Sequence, residues 1–219
     1  RNGDGVINYP DKVYYEESIS GVSSFKLASD SDWRLPTIKE LYSLIMYYGA
    51  EPNPTATTQG TAVPFINTQY FDFSYGDLSA GDRIVDAQYA TSTQYVSTTM
   101  NGNATMFGVN FADGRIKGYP TSRTLGKKFF VIHVRNNPDY GKNKFVDNGD
   151  GTVTDKATGL MWMQQDNAQG VLWKDALSFA ENANYAGYSD WRLPSAKELQ
   201  SIVDYTRSPD TTPVSYTHL

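Results

Sequence analysis

Apolar residues recur at Ile38, Leu41, Leu44, Ile45 and Tyr48, which predicts a helix with one buried face. Its entrance is marked as well. Pro36 keeps the residue before it extended, and Thr37 with Glu40 forms a capping box in which hydroxyl and carboxylate satisfy free backbone amides. The pattern returns downstream, with Ser195 and Glu198 as the box and Leu199, Ile202 and Val203 as the face. Trp173, Ala176, Leu177 and Ala180 predict a further amphipathic helix. Between these helices the period falls to two. "MFGVNFADGRIKGYP" alternates around Asp113-Gly114, a hairpin signature, and "KKFFVIHVRN" reads as a largely buried strand. "KFVD" and "TVTD" flanking "NGDG" predict a second hairpin, followed by strand-like "GLMWMQ". "AEPNPTATTQGTAVPF" has no periodicity and is a loop.

The two capped helices belong to one repeated phrase, "SDWRLPTIKEL" at 31–41 and "SDWRLPSAKEL" at 189–199. Trp33-Arg34 and Trp191-Arg192 have two readings, a sugar-stacking ring beside an anion-binding guanidinium, or a packed Trp beside an Arg paired to Asp32 or Glu40. A phrase built around a helix cap favours the second, so the repeat encodes architecture, two copies of one unit. "GYSDWRLPSAKELQSIVDY" and "FVDNGDGTVTDKATGLMWMQ" resemble the Lcl C-terminal domain family, a bacterial domain of unknown function (DUF 1566). "WRLP" plus helix is also similar to the "RLPTEAEWE" element of formylglycine-generating-enzyme-like domains. The resemblance implies an α+β, C-type-lectin-like fold, here a tandem duplication with the second copy truncated. The first unit takes residues 1–136, a linker 137–143, and the N-terminal half of the second unit 144–213. Strands matching 88–136 are missing from the second copy, which predicts an unpaired sheet edge. "YATSTQY" departs from the "YWSST"-like strand of relatives by lacking the Trp. The tail at 214–219, "VSYTHL", matches the translation of a sequencing-adapter read-through and is set aside as non-native together with His218.

Composition narrows the chemistry. A net charge of −5 provides no field for nucleic acid or anionic membrane, and no run of eighteen apolar residues exists for direct membrane insertion. The absence of Cys excludes disulfides and thiolate chemistry, including the cysteine chemistry on which the formylglycine-generating relatives rely. His133 lies in a strand-like segment and reads as structural. No phosphate loop, HExxH or GxSxG is present. Abundant Tyr, each with an apolar face and a polar tip, leans toward an exported binding protein, at the cell surface, extracellular or periplasmic. The expectation is a non-catalytic binding or adhesion module whose partner is carbohydrate or another cell-surface ligand. A structural or protein-interaction module is the next reading, and a glycoside-acting enzyme the third.

Two acidic turns suggest Ca2+. With an Asp ahead of Arg1, the residues Asn2, Asp4, Val6 through its carbonyl, Asn8 and Asp11 take alternate ligand positions of an EF-hand-type loop over residues 1–12, with Gly5 at the turn. Asp147, Asp150 and Asp155 form a secondary cation candidate, although "DNGDG" also reads as a plain hairpin turn. For a ligand, the long loops at 49–64 and 74–105 present Tyr75, Asp77, Tyr89, Tyr95 and Asn101 outside any core periodicity.

Overall fold

The computed structural model describes residues 4–27, 29–99, 101–208 and 211. It is an α+β protein in which the chain divides into two units, one running to Pro138 and resuming at Asp204, the other spanning Asp139–Val203.

In the first unit, helix α1 (Tyr15–Ser20) and helix α2 (Ile38–Tyr42) precede a four-stranded antiparallel sheet. Its strands are β1 (Gln88–Tyr89), β2 (Gln94–Thr99), β3 (Asn103–Asn110) and β4 (Arg115–Pro120). β3 is the middle strand. β4 pairs along the whole of one edge, from Asn110↔Arg115 to Thr105↔Pro120. The other edge is shared, β1 taking Val109 and Asn110 and β2 taking Asn103 to Met106. The β3–β4 turn is the predicted hairpin, with Gly114 at φ 69°, a left-handed conformation in which a side chain would also strike the Phe65 ring.

α2 buries Ile38 and Leu41 with Ile45 against Ala87, Tyr89, Val109, Phe111 and Phe130. The predicted helix through Tyr48 is shorter than its pattern. After Tyr42 the chain tightens into turns, Leu44 N–H donating to Leu41 O and Ile45 N–H to Tyr42 O, so Ile45 stays in the core while Tyr48 is exposed. The "KKFFVIHVRN" segment is not one strand. It forms isolated bridges with three different segments in turn, Phe129 with Val13, Phe130 with Tyr89 and Val134 with Arg34. No single neighbour runs alongside it long enough to build a ladder, although Phe129 and Phe130 are fully buried. His133 stacks on Phe25 with ring centroids 4.1 Å apart, and burial lowers its pKa.

In the second unit, β5 (Phe145–Asp147), β6 (Thr152–Asp155) and β7 (Leu160–Met163) form an antiparallel sheet in the order β5-β6-β7. Helices α3 (Trp173–Glu181) and α4 (Ala196–Ser201) follow. α3 buries Ala180 but leaves its first residue, Trp173, exposed.

Candidate functional site

Residues from three separated stretches meet around a cavity of about 570 Å³ in the first unit. Asn8 and Tyr9 come from the N-terminal loop and its short 3-10 turn, Gln59 and Thr68 from the long loop, and Phe73, Tyr75 and Asp77 from the segment leading to β1. Phe73 and Tyr75 meet edge to face at 4.9 Å, which fixes one wall. Gly76 lies between Tyr75 and Asp77 because any side chain there would overlap the Arg83 carbonyl.

Two polar atoms at this cavity are buried without a hydrogen-bond partner, the Asn8 Oδ1 and the Tyr75 hydroxyl. Buried polar groups are nearly always paired, since an unpaired one costs about 1–3 kcal/mol. Burial raises the Tyr75 pKa, so the phenol stays protonated and can donate as well as accept. The Asp77 carboxylate accepts from the Ser79 amide at 2.9 Å and hydroxyl at 2.6 Å, which lowers its pKa and keeps it an acceptor.

A buried lysine holds the wall in place. Lys12 is 4% exposed, and its Nζ donates to Asp82 Oδ2 at 2.5 Å and to the Asp86 carbonyl at 2.6 Å. Asp82 Oδ2 also accepts from the Asp77 amide at 3.3 Å. Desolvation lowers the Lys12 pKa while Asp82 opposes that shift, and the lysine lies over the rings of Tyr9 and Phe130.

Of the residues singled out in the sequence, Tyr75, Asp77 and Asn8 are brought together here. The other three ligand candidates lie elsewhere. Tyr89 is a core residue at 0% exposure, packed on Phe111 and Phe130, where no ligand reaches it. Tyr95 lies on β2 with its ring 5.8 Å from Phe107, and Asn101 is an exposed left-handed turn residue at φ 67°. Tyr9, Gln59, Thr68 and Phe73 carry no sequence signal, because only the fold brings their loops together.

Asn2 lies outside the described residues. Asp4 Oδ1 accepts from the Val6 amide at 2.8 Å, across Gly5 at φ 82°, and Asp11 Oδ2 accepts from the Asn8 amide at 3.1 Å. Asp150 Oδ1 makes the matching bond to the Thr152 amide at 3.0 Å, across Gly151 at φ 87°, and Asp147 Oδ1 accepts from the Gly149 amide. Both acidic turns thus use Asp carboxylates to cap their own backbone. Asp155 is fully buried and saturated by protein donors, the amides of Lys144 and Ala157, the Asn143 amide group and the Thr158 hydroxyl. Burial would raise its pKa, yet these donors hold it below the usual carboxylate range. With its oxygens already engaged, Asp155 clips β5 to β6 and has little left for a cation. Among the described residues, no group of three or more His, Cys, Asp or Glu could hold a metal ion.

The repeated phrase forms the same local device twice. Thr37 Oγ1 accepts from Glu40 N–H at 3.2 Å, and Ser195 Oγ from Glu198 N–H at 3.3 Å. Arg34 grips both Glu40 oxygens, as Arg192 grips those of Glu198. The guanidinium is committed to the helix cap in each copy.

The model of one family, described as the Lcl C-terminal domain, matches residues 7–135 and 151–218. No curated protein and no solved structure shows a significant match.

Proposed function

The chain belongs to the Lcl C-terminal domain family, and on that footing we propose that it is a non-catalytic binding module of an exported or cell-surface protein that recognises carbohydrate. The site is the cavity of Asn8, Tyr9, Tyr75 and Asp77. One observation carries the reading: Asn8 and Tyr75, each with a buried polar atom that has no partner, stand beside a single cavity walled by aromatic rings. A sugar matches that combination, its C–H faces packing on Tyr and Phe while its hydroxyls supply donors and acceptors. The repeated, identically clamped helix start further supports a unit duplicated in tandem, and the C-type-lectin-like fold of that unit is part of the proposal. Ca2+ enters the proposal only as a test of the acidic turn, whose Asp4 and Asp11 carboxylates accept from the turn's own amides.

The test is a glycan array on the wild-type chain and on Tyr75→Phe and Asn8→Ala, each run in calcium and in chelator. Binding to a defined glycan class is expected, with each variant weakened about three- to tenfold, the worth of one neutral hydrogen bond. A folded wild type silent on every glycan would overturn the reading, as would binding that neither variant alters. Loss of binding in chelator alone would assign the cation, and equal binding in both conditions would remove it.

A further inference from the structure

The second unit contains a cavity of about 780 Å³ with polar residues such as Asp190, Arg192 and Glu198 on its lining and a larger apolar part that includes Met161, Trp162, Phe179, Leu193, Leu199 and Ile202. Phe179, Leu199 and Val203 are 52%, 49% and 40% exposed. Trp162 Nε1 is buried there without an acceptor. Exposed apolar side chains gathered round one open groove are a surface that a partner segment can cover.

The first unit shows what such a face accepts. Its copy of the phrase has the same cap and the same arginine clamp, and Leu41 and Ile45 stand where Leu199 and Val203 stand in the second. There they are 1% and 0% exposed, covered by Tyr89, Val109, Phe111 and Phe130. The cover is also tied to the phrase by backbone. Arg34 exchanges two hydrogen bonds with Val134 at 2.8 and 2.9 Å, Ser92 N–H donates to Pro36 O, and Ile38 N–H donates to Thr93 Oγ1. Among the described residues, no β-bridge forms at Arg192. The second phrase therefore presents both an open apolar face and an open backbone edge, the two features that an extended segment fills together.

We propose that this face is the seat of a strand-bearing polypeptide segment with the chemistry of residues 87–134 of the first unit. The segment lays aromatic side chains over Leu199, Ile202 and Val203, pairs its backbone with Arg192 and brings a carbonyl to Trp162 Nε1. A flat hydrophobic partner or a free lipid would cover the side chains but leave the backbone edge unpaired.

The experiment extends the chain. The phrases stand 158 positions apart, so Ser208 corresponds to Ala50, and residues 1–208 are followed by a second copy of residues 51–135. A control carries Tyr89→Ser, Phe111→Ser and Phe130→Ser in the appended copy only. The unextended chain is expected to bind a dye that reports exposed apolar surface, and the extended chain to lose that signal by about threefold or more. Its appended segment should resist protease while the control is cut and keeps its dye signal. Adding Leu199→Asp to the extended chain should restore both dye binding and cleavage. Equal cleavage of the two extensions with undiminished dye signal would overturn the proposal. So would an unextended chain that binds no dye, or one whose dye signal disappears on dimerisation, which would make a second copy the occupant.

Discussion

Asp86 shows how single charges support the candidate site. It is 8% exposed, and burial alone would raise its pKa, but Arg83 bonds it through its amide at 3.0 Å and its guanidinium at 2.9 Å, with Lys127 at 3.3 Å. The outcome is a pKa lowered from 3.8 to about 2. A carboxylate with a lower pKa folded than unfolded stabilises the fold above about 4, and that stabilisation is lost as pH falls toward 2. Asp86→Asn should therefore cost about 1–2 kcal/mol at neutral pH and flatten the acid limb between pH 4 and 2, as read by urea unfolding across pH. The neighbouring Lys12–Asp82 pair is a sharper case, because removing the buried lysine leaves the largely covered Asp82 carboxylate without its cation. Lys12→Met should cost about 3 kcal/mol or more, and adding Asp82→Asn should return part of it. An additive double mutant would show that the pair is not coupled.

At the scale of elements, the two phrases form a natural controlled comparison. α2 and α4 have the same cap, but the Glu40 side chain is 9% exposed and that of Glu198 23%. Glu40 has its pKa lowered by Arg34 and Thr37 against the opposing effect of burial. Glu198, near the surface, is lowered to about 2 chiefly by Arg192. Solvent screening weakens the exposed pair, so Glu40→Gln should destabilise by about 1–2 kcal/mol and Glu198→Gln by clearly less. Equal losses in thermal unfolding would contradict that ordering. The segment at 127–136 shows where element-level reading fails. Its β-branched and aromatic residues have strand propensity, yet pairing depends on a neighbour running parallel over several residues, and this segment meets three different ones.

For the whole molecule, the consequence is unequal stability. The first unit buries its aromatic cluster completely, while the second leaves the face of α4 open. Three of the four Trp residues, Trp162, Trp173 and Trp191, lie in the second unit, so tryptophan emission reports mainly on that unit. On heating, emission should change before the loss of far-ultraviolet ellipticity is complete, and coincident transitions would refute this. The return segment from Asp204 belongs to the first unit, where Tyr205 packs its ring 4.8 Å from Phe107. No periodicity in "DYTRSPD" announces that contact.

The sequence by itself determined the capped helix starts and both hairpins, and narrowed the partner of Arg34 to Asp32 or Glu40. These depend on residues a few positions apart, where backbone sterics and local hydrogen bonds decide the outcome. Tertiary structure alone decided that Tyr89 packs inside while Tyr75 lines a cavity, although the two are similar as sequence. It alone joined Asn8 to Asp77 and turned Asp155 inward as a clip. Burial depends on which distant segment covers a side chain, and that follows from packing the whole chain rather than from any local pattern.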